Sequence, residues 1–286
     1  MPVITGWFPP PASTLMLGVG RQPNGFTCGT ETFLGICEFL RLPVSDPDDD
    51  DIESYSAKLK TSARYGTDPD MIMKIAREYL GIGARLETNL TAAGLAEITN
   101  HTQPYVDRLL AGDRITRPLE IAMVTYQAYI DPDRERSWYY PGGRHHALRT
   151  GQARLLKIRE GTEVLWECDW ADGHWSAVLR VVMPQERGLL AGIARQLGDR
   201  SRAAEAEDGI VILGDPSNGE GLSFIPIPEF LRRWHDTDRH DNPRFRCCAV
   251  VLHVPTRMLR EMRSASSRRG VPMFATVTRN AVIYVP

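Results

Sequence analysis

The sequence predicts an α+β fold, with helical segments grouped in the first part of the chain and an antiparallel sheet built from the rest. Three observations predict it. Apolar residues recur at helical spacing in the segments around Cys28–Leu40 and Pro69–Leu80. After Pro118 the pattern changes to β-branched or alternating runs. Strands and helices do not alternate in the regular way a parallel sheet requires.

The helices come first. From Cys28 to about Leu40, Phe33, Leu34, Cys37 and Leu40 share one stripe, with Thr27 available as a cap. From Pro69 to Leu80, "DPDMIMKIAREYLG" has Asp68 as cap, Pro69 at the first helical position and Gly81 as stop, and Met71, Ile72, Ile75, Tyr79 and Leu80 form one apolar face. A third, shorter helix follows Pro228 in "PEFLRRWHD". The strand runs are "LEIAMVTYQAYI" (119–130), "EVLWEC" (163–168), "HWSAVLRVVM" (174–183), "GIVILGD" (209–215) and "CCAVVLHV" (247–254). Two polar inserts, at about 131–161 and 184–208, interrupt the strand half, and inserts of this length are usually functional or mobile. No internal repeat is present.

Composition narrows the function. Apolar residues are 42% and charged residues 24%, ordinary for a soluble globular protein, and a formal net charge of -2 gives no reason for a nucleic-acid or membrane partner. The five cysteines are odd in number and two are adjacent, so no disulfide framework is expected. The first twenty residues lack a basic start followed by an unbroken apolar run, and no stretch approaches a membrane span. A cytoplasmic, reducing environment is expected, which leaves a thiol free to do chemistry. Nothing in the residues sets an oligomeric state.

A cysteine nucleophile needs a thiolate-favouring environment, a base, a group that orients the base, and donors for an oxyanion. Cys28, at a helix start, has unpaired N–H groups and the macrodipole beside it, whereas Cys37 lies on the apolar stripe and reads as core. Gly29 permits close backbone approach. Gln22 precedes Cys28 by six residues across a Pro-Asn-Gly turn, which can bring its amide beside the Cys28 N–H. His174 opens a strand after an Asp-Gly turn, and Asp215 ends the next one before Pro216, placed to orient an imidazole. Each residue taken singly also has a bland reading: a buried thiol, a surface glutamine, a histidine near a turn, an Asp-Pro turn opener. The order Gln, Cys, His, Asp on these elements is what gives the set its meaning.

In that order the chain resembles the double-glycine leader (bacteriocin-processing) peptidases and their stand-alone relatives, a branch of the papain-like cysteine peptidases. "QPNGFTCGTETF" resembles the nucleophile segment, "DGHWSAVLRV" the histidine strand and "VILGDPSNGEGLSFIPIPEFLRRWHD" the Asp-Pro strand with its following helix. "YGTDPDMIMKIAREYLGI" and "RPLEIAMVTYQAYI" resemble the intervening helix and central strand. The resemblance implies a single papain-like domain over 1–286, with the two inserts and a C-terminal extension at about 256–286. It implies Cys28 as nucleophile, His174 as general base and acid, Asp215 as orienting acid and Gln22 as oxyanion donor. The implied substrate is a peptide or amide, cleaved without metal or organic cofactor. Trp175 stands where the family commonly has tyrosine, and an attached transporter domain is not expected. Two alternatives remain open: an acyltransferase or transglutaminase-like amide-forming enzyme using the same residues, and a catalytically silent peptide-binding adaptor.

Other features have simpler readings. "SDPDDDDIES" (45–54) is expected to be a solvated acidic loop, since an EF-hand's glycine and terminal glutamate are missing. His235, Asp236, His240 and Asp241 lack a recognisable zinc partner set and read as a polar loop. Cys247 and Cys248 are expected on opposite faces of a strand. "RTGQARLLKIRE" reads as an exposed basic face, His145 and His146 as a mobile surface loop or a channel lining, and Trp138, Tyr139 and Tyr140 as a lid or as aromatic core under a long loop.

Overall fold

The computed structural model describes residues 27–40, 42, 51–62, 66–101, 105, 108, 111, 113–126, 129–130, 155–160, 163–168, 174–196, 207–216, 222–237 and 243–269. The fold is α+β, with every described strand pairing antiparallel.

The helices are α1 (Cys28–Phe39), α2 (Asp51–Lys58), α3 (Pro69–Glu78), α4 (Ala92–Thr99), α5 (Arg187–Gln196), α6 (Ile227–Arg233) and α7 (Thr256–Arg269). The strands are β1 (Gly83–Glu87), β2 (Leu119–Tyr126), β3 (Tyr129–Ile130), β4 (Leu155–Glu160), β5 (Glu163–Cys168), β6 (His174–Val182), β7 (Ile210–Gly214), β8 (Leu222–Pro226), β9 (Asp236–Thr237), β10 (Pro243–Arg244) and β11 (Ala249–Val254). Six strands form the main sheet in the order β1-β11-β2-β6-β7-β8, and β3-β5-β4 and β10-β9 form two smaller sheets.

Strand periodicity explains how one sheet serves two cores. Ile121 and Met123, Trp175 and Ala177, Ile210 and Ile212, and Val250 and Leu252 pack with α1, α2, α3 and α7. Their alternates Ala122, Val124, Tyr126, Val211, Leu213, Ala249 and Val251 pack with α4 and α6. Both faces are therefore dry, which is why the central strands read as nearly continuous apolar runs. A register shift between Val178 and Arg180 resets the alternation in β6. Beyond it, where β2 no longer pairs, the Asn100 side chain takes over: its amide donates to the Val181 carbonyl (2.7 Å) and accepts from the Val181 N–H (3.0 Å).

Helix α3 starts as expected, with Asp68 accepting from the Asp70 N–H and Pro69 beginning the helix, but it ends at Glu78, and Tyr79, expected on the apolar face, is 61% exposed. Helix α1 begins at Cys28 as expected, but Thr27 makes no side-chain cap, so the first-turn N–H groups are not taken by its hydroxyl.

Several expectations are corrected. The acidic segment is not loop throughout, because residues 51–58 form α2, whose Tyr55 is buried. The long run 119–130 divides into β2 and the separate β3. The insert regions contain regular structure: β4 pairs with β5, and α5 buries Leu190 in the main core. Within the expected C-terminal extension, residues 256–269 form α7, and Leu259 is buried in the same core. Cys247 and Cys248 precede β11, with Cys247 at φ 50 in a turn and the Cys248 thiol donating to the Arg246 carbonyl. Asp236 is not solvated, being buried at the start of β9. Residues 138–140, 145–146, 240 and 241 lie outside the described residues.

Candidate active site

Three of the four candidate residues come together. Cys28 opens α1, His174 opens β6, and Asp215 follows β7, the neighbour of β6 in the sheet. Nε2 of His174 lies 2.7 Å from Oδ1 of Asp215. The Cys28 side chain contributes to raising the proton affinity of the same imidazole, whose Nε2 is turned to Asp215. Gln22 lies outside the described residues.

The local sequence explains this placement. Trp175 follows His174 and points into the core shared with α1, so β6 and the start of α1 are pressed together. The Trp175 backbone N–H donates to Cys28 Sγ at 3.5 Å, and Thr32 of α1 donates to the Trp175 carbonyl at 3.2 Å. The indole N–H of Trp175 donates to the Thr67 carbonyl at 3.0 Å. Gly29 completes the joint. A Cβ there would lie 2.6 Å from Thr67 Cβ and Oγ1 and 3.0 Å from Trp175 Cδ1. The close approach expected at Gly29 is thus made by this chain's own side chains. Behind it, hydroxyls of Ser56, Thr30, Thr61 and Thr67 form a chain with links of 3.3, 2.9 and 2.7 Å, tying α2 to α1 and to the segment before α3.

Burial would push the His174 imidazole below its ordinary value near 6.5. The charge and hydrogen bond of Asp215 oppose this, Cys28 adds in the same sense, and together they hold the ring up to about 10. Cys37, with no such partners, has its thiol pushed far upward by burial. Both cysteines of α1 are buried in one core cluster, and Cys28 differs in that its sulfur accepts from the Trp175 N–H. Cys28 is 2% exposed and His174 and Asp215 are 0% and 2% exposed, so the site is enclosed.

Sequence reasoning missed two residues of this site, Tyr126 and Thr67. Tyr126 donates from its hydroxyl to Asp215 Oδ2 at 3.1 Å. The available signal was a single polar-tipped aromatic closing an apolar strand run. Among the described residues no group of three or more His, Cys, Asp or Glu could hold a metal ion. No described helix is long and apolar enough to cross a membrane.

Against known proteins, no family model matches the chain, and neither a curated protein nor a solved structure matches it.

Proposed function

We propose that the chain is a cysteine peptidase with a papain-like arrangement, cleaving a peptide or amide bond through Cys28, His174 and Asp215. One observation carries this reading: a buried imidazole held by Asp215 at 2.7 Å on one nitrogen, with the sulfur of a helix-start cysteine accepting from the backbone N–H of Trp175, the residue after His174, at 3.5 Å. The chemistry follows from that order. Nδ1 of His174 accepts the thiol proton as Sγ attacks the carbonyl carbon, and Asp215 stabilises the imidazolium. The tetrahedral oxyanion accepts from the Cys28 backbone N–H and, as the sequence resemblance implies, from the Gln22 amide. His174 then protonates the leaving amine, and a thioester remains on Cys28. Water, deprotonated by the same imidazole, releases the acid. An amine in place of water would make the protein an amide-forming acyltransferase.

Because Cys28 is 2% exposed, the reaction requires the site to open to a substrate carbonyl. That same burial favours a second reading, a catalytically silent peptide-binding module that keeps the three residues as a packed polar cluster.

Mass spectrometry of the intact protein after mixing with an activated acyl donor, such as a peptide thioester, separates the readings. A transient acyl adduct mapped to Cys28 and absent from Cys28→Ala is the expected result. Hydrolysis products identify a peptidase, and ligation to added amines identifies an acyltransferase. No adduct under any acyl donor, with Cys28 intact, would leave the silent module.

A further inference from the structure

Tyr126 is the last residue of β2 and the direct cross-strand partner of His174, which opens β6. Directly paired residues lie on the same sheet face, and the two rings meet edge to face, with centroids 5.5 Å apart at 78°. The phenol hydroxyl reaches past the imidazole to Asp215 Oδ2 at 3.1 Å, while the imidazole holds Oδ1 at 2.7 Å. Each carboxylate oxygen therefore has its own donor, inside a site where Tyr126 and Asp215 are 3% and 2% exposed. The ring itself is fixed from behind by α6. Phe230 packs at 6.3 Å, and the Arg233 guanidinium lies 5.8 Å over the phenol face.

We propose that Tyr126 is a positioning residue of the site: its hydroxyl keeps the Asp215 carboxylate ionised and in the plane that presents Nδ1 of His174 to Cys28. The role rests on the catalytic reading of those three residues.

The physical reason is that a buried carboxylate is costly unless its lone pairs are met by donors. A phenol donating to Oδ2 favours the charged form of Asp215 and blocks rotation about its χ2 axis. The imidazole is then held by the other oxygen through its Nε2–H, whether Nδ1 carries the proton as imidazolium or has passed it on. The titratable and charged groups facing this assembly, among the described residues, include Cys28 from α1, Asp215 after β7 and, over the phenol, Arg233 of α6, which is ion-paired with Glu229. Tyr126→Phe keeps the ring against His174, Phe230 and Arg233, and removes only the donor. Without it the carboxylate binds a proton more readily, so the reactive Cys28–His174 pair assembles only at higher pH.

The test is the pH dependence of Cys28 alkylation by iodoacetamide in the full chain, followed by peptide mapping. In Tyr126→Phe the acid limb should move upward by about one pH unit, with the high-pH plateau kept within a few-fold. Site-specific replacement of Tyr126 by a difluorotyrosine, whose more acidic hydroxyl is the stronger donor, should move the limb downward. That second variant preserves shape and serves where the phenylalanine variant does not fold. Selective Cys28 labelling with the same acid limb in all three proteins would overturn the role of Tyr126 while leaving the catalytic reading in place. Unselective labelling of Cys28 in the wild type would overturn both.

Discussion

The backbone N–H of Trp175 donates to the sulfur of Cys28 at 3.5 Å, although the two residues are 147 positions apart. The bond links the first residue of α1 to the second residue of β6. It places the thiol next to the residue after His174, so strand geometry and not side-chain reach sets the distance between nucleophile and base. The joint depends on Gly29, Thr67 and Trp175 packing without space between them.

Gly29→Ala should loosen the joint. The added methyl would fall 2.6 Å from two atoms of Thr67, too close to be absorbed without moving α1 away from β6. A loss of roughly 1–3 kcal/mol is expected from overpacking, read by chemical denaturation. Cys28 alkylation should slow in parallel, and adding Thr67→Gly should recover part of both. An unchanged midpoint and unchanged labelling would show that the joint yields freely.

The pH dependence of stability has a definite sign. The folded-state value for His174 is raised above its unfolded value near 6.5, so the stability it contributes is fully present below about pH 6.5. It is lost as pH rises through the folded value, about 10. Thermal unfolding midpoints should therefore fall between about pH 6.5 and 10 in the wild type. Asp215→Asn, which removes the stabilising charge, should flatten that slope. Parallel curves for the two proteins would count against a stabilising His174–Asp215 ion pair.

Asn100→Ala should destabilise the sheet from outside the site. The amide meets both backbone groups of Val181 at the point where β2 has ceased to pair with β6. Losing it costs about 1–3 kcal/mol. Urea denaturation is the measurement, and Cys28 labelling in the folded protein should stay at the wild-type rate.

Much of the architecture was legible because it rests on periodicity. The helix start at Cys28, the Asp68–Pro69 start of α3 and the apolar runs of β2, β6, β7 and β11 are local patterns that the fold keeps, although α1 is buried nearly all round and Leu34 of its expected stripe is only partly buried. The elements that escaped have weak local patterns. Strand β1, "GARLE", has a single fully buried residue, Ala84, and is defined by pairing with β11, 166 residues later counting from Gly83 to Ala249. Helix α4, "AAGLAEIT", and the arginine-rich α7 lack a broad apolar face, and tertiary packing on the sheet decides both. For the site, residue type and order singled out Cys28, His174 and Asp215, which lie at the starts of α1 and β6 and just after β7. Tyr126 was not legible, since its role depends on the β2–β6 register, which no local pattern records.

The measurement that bears most directly on the central claim is competitive alkylation of the native protein by trace iodoacetamide at about pH 6, mapped over all the cysteines. If Cys28 and His174 share a proton in a reactive pair, Cys28 labels well ahead of Cys37, which burial keeps protonated. In His174→Ala that lead should shrink on the order of a hundredfold, to the reactivity of an ordinary thiol at this pH. Cys28 labelling no faster than Cys37, or labelling equally with and without the His174 ring, would contradict the account.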